Sequence, residues 1–349
     1  LRRSHGAAQP HDIRFWCLGN EMDGPWQIGH KTAEEYGRLA AETARAMRMI
    51  DPDLELVACG SSGATMPTFG TWEQTVLSHT YEQVDLISAH AYYWEDDGDL
   101  ASFLASATDM DYFIESVAAT ADAVRAAGKH TKRIGISFDE WNVWYLHRAE
   151  SHPPSGDNWP VAPVLLEDRY NVADAVVVGN LLISLLRHTD RVHAASLAQL
   201  VNVIAPIMTE PGGRAWRQTI FHPFALTAAH ARGEVLQVAI DARQVETDKH
   251  GPVDAIDAVA TRDPETGAVA VFCVNRSLNQ DTQVQADLRG LGDLRVGQCL
   301  TLSNPDHTWS ATADDATSVL PRRNDTAEID QGTANLTVPP VSWTMLTLV

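Results

Sequence analysis

From residue 13 to about residue 230, short apolar runs alternate with longer stretches in which apolar positions recur at helical spacing. That alternation is the pattern of a parallel sheet covered by helices. Strands are expected at Ile13 to Leu18, Leu54 to Cys59, Val84 to Ala89, Ile134 to Phe138 and Ala194 to Leu200. Several of these runs are nearly continuously apolar, as in strands buried on both faces. Helices are expected at Thr32 to Ile50, Asp111 to Ala127 and Asp168 to His188. The first opens with Thr32 and Glu35 at capping-box spacing and stops at Asp51-Pro52, where proline disfavours continuation. The third is apolar almost all round at Val176 to Leu182, which predicts a helix pressed between two layers.

After about Leu236 the pattern changes to alternating strands and turns. A strand at Ala268 to Val274 follows the turn Asp263-Pro264-Glu265-Thr266-Gly267, and another, Ser342 to Val349, closes the chain. The expected organisation is therefore an α/β catalytic part at residues 1–235 and an all-β sandwich at 236–349. Five βα-like units are too few for an eight-stranded barrel, so either the sheet is open or three units precede Leu1. The absence of an initiator Met fits the second expectation.

Composition narrows the function classes. Hydrophobic residues make up 44% of the 349 positions and charged residues 21%, which is globular rather than disordered. A formal net charge of -20 repels polyphosphates and anionic lipid surfaces, which argues against nucleic acid and membrane as partners. The four cysteines, Cys17, Cys59, Cys273 and Cys299, are scattered without a CxxC pair and read as buried free thiols. His5 with His11, and His147 with His152, lack the spacing and companions of a metal site, and no cofactor-binding loop is present, so neither metal nor cofactor is expected. Gly60-Ser61-Ser62-Gly63 reads as a loop beside the substrate.

Two glutamates lie where barrel enzymes place their chemistry, at the C-terminal ends of strands. Glu21 ends Phe15-Trp16-Cys17-Leu18-Gly19-Asn20-Glu21, and Glu140 ends Ile134-Gly135-Ile136-Ser137-Phe138-Asp139-Glu140. Carboxylates from two strands of one barrel can converge across its mouth, and cleavage of a glycosidic bond needs such a pair. An arbitrary glutamate after a strand is usually a solvated loop acid. Here Glu140 is followed by Trp141-Asn142-Val143-Trp144, and an indole offers a flat apolar surface for a sugar ring.

The segment Trp16-Cys17-Leu18-Gly19-Asn20-Glu21-Met22-Asp23-Gly24-Pro25-Trp26-Gln27 resembles the acid/base segment of the α-L-arabinofuranosidases of glycoside hydrolase family 51. Phe138-Asp139-Glu140-Trp141-Asn142-Val143-Trp144 resembles their nucleophile segment. Ile87-Ser88-Ala89-His90-Ala91-Tyr92-Tyr93 is similar to their strand-six segment, and Ala198-Gln199-Leu200-Val201-Asn202-Val203-Ile204-Ala205-Pro206 to the end of strand eight. The resemblance implies a (β/α)8 TIM-barrel type fold of which strands four to eight are present, followed by the sandwich. It implies a retaining hydrolase that releases terminal α-L-arabinofuranosyl residues, with Glu21 as acid/base and Glu140 as nucleophile. It further implies that Asn20 bonds the sugar 2-hydroxyl, that His90, Tyr92 and Gln199 contact substrate or nucleophile, and that Trp144 forms an aromatic wall. The partner implied is an arabinose-containing saccharide, the location cytoplasmic, and the full-length assembly a homo-oligomer, up to a hexamer. Family members carry further arabinose contacts, an acidic residue and a cysteine, before the position of Leu1, so the isolated chain is expected to be poorly soluble or inactive.

Two expectations attach to the mechanism. The carboxyl groups of a retaining pair lie about 5 to 5.5 Å apart. The charge of Glu140 is expected to keep Glu21 protonated near neutral pH. The competing readings are another retaining barrel glycosidase, a β-xylosidase or endoglucanase, and a non-catalytic carbohydrate-binding fragment. The continuation Met22 to Gln27 disfavours the first, and the presence of both glutamates in matching segments disfavours the second.

Overall fold

The computed structural model describes residues 1–145 and 153–349 and divides them into two compact units. The first comprises residues 1–91, 113–140 and 191–195, and the second residues 92–112, 141–190 and 196–349.

A five-stranded sheet runs in sequence order: β1 (Phe15–Cys17), β2 (Glu55–Ala58), β3 (Leu86–Tyr93), β4 (Gly135–Val143) and β5 (Val192–Leu197). β1 pairs parallel with β2, placing Cys17 opposite Val57, and β2 pairs parallel with β3, placing Val57 opposite Leu86. Parallel neighbours need crossovers, and helices supply them. These are α1 (Ala33–Ile50), α2 (Thr71–Thr80), the short α3 (Leu100–Leu104), α4 (Ala107–Gly128) and α5 (Val172–Arg187).

In the first unit, α1 begins at the capping box predicted for Thr32 and Glu35. It buries Tyr36, Gly37, Ala40, Ala41 and Ala44, a stripe of mostly small residues that lets α2 approach closely. Trp72 of α2 stacks on Tyr36 with ring centroids 5.7 Å apart and donates its indole N–H to the Cys59 carbonyl. Phe113 of α4 packs edge-on against Phe138 of β4.

In the second unit, α5 is buried from Val172 through Leu185. Gly179 makes room for Trp343: a Cβ there would stand 2.2 Å from the indole Cδ1. The antiparallel sheet behind it has the order Arg322–Arg323, Val296–Leu302, Ser342–Leu348, Val269–Asn275, Ile256–Arg262, Glu234–Leu236. A second sheet holds Thr282–Asp287, Thr333–Val338 and Glu328–Asp330. Val269, Cys273, Leu346 and Leu348 of the first sheet share one apolar core with Leu336 and Val338 of the second, which makes the pair a sandwich. Strand alternation turns Phe272 and Val274 to the opposite face, where they are also buried. A buried polar cluster fixes α5 to this sheet: Arg276 and the Asn180 amide both donate to Asp257 Oδ2, each at 2.7 Å.

Several expectations change. Residues of β1, which pairs with β2, are exposed. Cys17 on it is accordingly exposed, while Cys59, Cys273 and Cys299 are buried thiols as expected. β3 continues past Ala89 to Tyr93 and β4 past Phe138 to Val143, so His90, Tyr92 and Glu140 stand within strands rather than in the loops after them. Trp141, expected on a loop, is a fully buried strand residue.

Candidate active site

Beyond β1 the chain turns through Gly19 at φ 143 and Asn20, and Glu21 takes a left-handed φ of 46. A residue other than glycine held there is strained, and such strain is retained where the surroundings fix it. The Glu21 carbonyl accepts from Gly24 N–H at 2.9 Å, and the Met22 carbonyl from Lys31 N–H at 2.9 Å. The side chain is held too: Oε2 accepts from the Trp26 indole N–H at 2.6 Å and from the Gln27 amide at 3.5 Å.

His90 on β3 is buried and faces three carboxylates. Its Nδ1 lies 3.1 Å from Glu21 Oε1 and 3.5 Å from Glu140 Oε2. Its Nε2 lies 3.0 Å from Asp139 Oδ1. The other Asp139 oxygen accepts from the Cys17 thiol and the Ser137 hydroxyl, both at 3.2 Å. Donor atoms of Glu21, His90 and Glu140 all fall within 4.8 Å of one another. One carboxylate oxygen of Glu21 and one of Glu140 thus lie within 4.8 Å of each other, closer than the roughly 6.5 to 9.5 Å between the carboxyl groups of inverting pairs. These three residues are also the one grouping among the described residues whose donors could converge on a metal ion. His5 and His11 are exposed, and His147 and His152 lie outside the described residues.

The charge distribution differs from the expectation for Glu21. Burial alone would raise its pKa, but the hydrogen bonds from His90 and Trp26 outweigh burial and lower it. His90 moves the other way: burial opposes its charge, yet Asp139, Glu21 and Glu140 together raise its pKa to about 10. The proton expected on Glu21 thus sits on His90. Although Cys17 is an exposed residue, its sulfur is partly desolvated beside Asp139, and this together with the Asp139 charge pushes the thiol up to about 12, so it stays protonated and donates to Asp139. Burial also raises Asp23, whose carboxylate accepts from Ser62 N–H at 3.1 Å. In the Gly60 to Gly63 loop, Gly60 N–H goes to the Ser88 hydroxyl and Ser61 N–H to Glu73.

Asn20 is exposed beside Glu21. Tyr92 and Trp144 belong to the second unit, where they meet edge-to-face with centroids 4.8 Å apart, and the Trp144 N–H donates to the Tyr93 carbonyl. Gln199 is in the same unit with an exposed side chain, its N–H donating to the Ile204 carbonyl at 3.0 Å. Asn142 steadies that segment by donating to the Ala198 and Ile204 carbonyls. Sequence reasoning did not single out Asp139, Trp26 or Cys17. Each stands inside a quoted motif, but only the folded chain gives Asp139 its contact with His90 and Trp26 its contact with Glu21.

Residues 139–342 match the family described as the alpha-L-arabinofuranosidase C-terminal domain. The chain is 54% identical, over 98% of its length, to an intracellular exo-α-(1→5)-L-arabinofuranosidase of Streptomyces lividans, of which it covers 52%. It is also 54% identical, over 98% of its length, to an exo-α-(1→6)-L-arabinofuranosidase of Bifidobacterium longum, of which it covers 67%. Among solved structures, a family 51 α-L-arabinofuranosidase from Bifidobacterium longum superposes with a TM-score of 0.94 at 47% identity, covering 100% of this chain and 69% of that one. The chain thus spans about half the length of the first relative and about two thirds of the other two. It belongs to the α-L-arabinofuranosidases of glycoside hydrolase family 51. Its fold class is that of a TIM-barrel type sheet with a C-terminal β-sandwich.

Proposed function

We propose that the whole protein containing this chain releases terminal α-L-arabinofuranosyl residues from arabinan- or arabinoxylan-type saccharides by double displacement. The observation that carries this reading is the approach of the Glu21 and Glu140 carboxylates to within 4.8 Å around His90. In the first step a Glu140 oxygen attacks the anomeric carbon while Glu21 protonates the departing oxygen, leaving a furanosyl ester on Glu140. In the second step Glu21 takes a proton from water, whose oxygen displaces Glu140 and regenerates the carboxylate.

We assign Asn20 to the sugar 2-hydroxyl and His90 to both glutamates, and from the family resemblance Tyr92, Trp144 and Gln199 to the substrate. Residues 1–235 are read as the catalytic barrel part and 236–349 as the accompanying sandwich. The Streptomyces lividans relative is named intracellular, which supports a cytoplasmic location, and no described helix is long and apolar enough to cross a membrane. A homo-oligomer, up to a hexamer, completes the proposal. The relatives are named for α-(1→5) and α-(1→6) bonds.

Kinetics on an aryl α-L-arabinofuranoside separate the two roles. Glu140→Gln removes the nucleophile, so turnover falls by roughly 10⁴-fold or more whatever the leaving group. Glu21→Ala is expected to keep the first step, because an activated phenolate departs with little protonation, and to stall in the second. Two variants equally inert toward the aryl substrate contradict the assignment.

A further inference from the structure

The two glutamates account for attack and protonation, but the structure leaves unexplained why three carboxylates surround one buried ring. Around His90 stand Glu21 from the segment after β1, and Asp139 and Glu140 from β4, with Asp23 close enough to feel the charge of Glu21. Asp139 contributes no atom to the pair itself. As a carboxylate it can only accept hydrogen bonds, and both its oxygens are occupied by donors: His90 Nε2–H on one, Cys17 and Ser137 on the other. Once Glu21 takes the Nδ1 proton, the acceptor at Nε2 holds the remaining ring proton on that nitrogen. The exchangeable ring proton is then confined to Nδ1, 3.1 Å from Glu21 Oε1. Trp26 and Gln27 occupy the other Glu21 oxygen, so Oε1 is the oxygen left to receive it.

We propose that Asp139 is a positioning residue for protonation of the leaving group: by holding Nε2 of His90 it aims the Nδ1 proton at Glu21, which draws on it in the first step and returns it in the second. This rests on the assignment of Glu21 and Glu140 above. The balance is complete without an added reagent. In the first step the Nδ1–H bond breaks and an Oε1–H bond forms. That bond breaks in turn as the departing oxygen takes the proton and its bond to the anomeric carbon is lost. Neutral His90 keeps Nε2–H on Asp139. In the second step a water O–H bond breaks, its oxygen displaces Glu140, and the proton passes through Oε1 back to Nδ1. The order follows from charge: esterification of Glu140 removes a negative charge 3.5 Å from Nδ1 and loosens the ring's hold on its proton when Glu21 requires one.

The test compares the unsubstituted protein with Asp139→Asn on an arabino-oligosaccharide and on an aryl α-L-arabinofuranoside. The variant is expected to lose about tenfold or more in kcat on the oligosaccharide, whose leaving group needs protonation, and little on the aryl substrate. Its alkaline limb of kcat/KM on the oligosaccharide should move down by about one to three pH units, because the charge that retains the ring proton is gone. Equal losses on both substrates with an unmoved limb would mean that Asp139 is only structural. If the unsubstituted protein cleaves neither substrate, the assignment of the glutamates fails first and the relay with it. Nitrogen-15 NMR of the unsubstituted protein supplies a readout that needs no variant to fold. His90 should keep Nε2 protonated throughout its titration while Nδ1 loses its proton, and a neutral ring protonated at Nδ1 overturns the proposal.

Discussion

Glu21 is exposed to opposing influences from its neighbours, and this decides its behaviour as an acid. Burial favours the neutral carboxyl, while the donors His90 and Trp26 favour the carboxylate and prevail. Trp26→Phe keeps the ring but removes the 2.6 Å indole hydrogen bond. The pKa of Glu21 is therefore expected to rise, read by carbon-13 NMR titration of labelled glutamate, and an unchanged or lower value would count against the role given to Trp26. At this scale the sequence pointed to Glu21 and Glu140 as the proposed pair but held no sign of the electrostatics around them. The motifs mark Glu21 and Glu140, and the charge of Glu140 taken alone predicts a proton on Glu21. The ring that takes that proton comes from a strand distant in sequence, and its hydrogen-bond partners exist only once β3 and β4 are neighbours.

At the scale of elements, α5 was legible because its apolar residues leave almost no polar face, and the structure buries it from Val172 to Leu185. Its first turn holds an ionisable group that sequence pattern did not expose. Asp174 accepts from Tyr145 Oη–H at 2.7 Å and from Asn171 N–H at 2.7 Å, and burial raises its pKa to about 7. The folded pKa lies above the unfolded value, so its contribution to stability is full below about pH 4 and is lost as pH rises through about 7. Asp174→Asn cannot ionise. It sacrifices one capping acceptor, a constant cost of about 1 kcal/mol, but removes the pH-dependent loss. Its thermal midpoint relative to the unsubstituted protein should therefore climb between pH 4 and pH 8, and a difference flat across that range contradicts the assignment. The strands were harder to delimit. The apolar pattern ends β3 at Ala89 and β4 at Phe138, where His90, Asp139 and Glu140 break the run. Those polar residues remain in the strands because the site they line supplies their partners. α2 was missed because its buried face, Trp72, Glu73, Val76, Leu77 and Thr80, has only three apolar residues in ten.

For the whole molecule, the alternation of strand and helix followed by strand and turn was enough to anticipate an α/β sheet with a sandwich after it. The order of the sandwich strands was not legible, since Ser342–Leu348, last in the chain, lies between Val296–Leu302 and Val269–Asn275. Pairings between segments so distant in sequence leave no local signal. Family membership follows from relatives and from the fold, whereas the division of labour between Glu21 and Glu140 rests on chemistry. The most direct test is to react the whole protein carrying Glu21→Ala with an aryl α-L-arabinofuranoside, quench it, and map the modified peptide by mass spectrometry. The account predicts one pentosyl unit esterified to Glu140. An adduct on Asp139 or elsewhere, or release of arabinose with inverted configuration and no adduct, would contradict it.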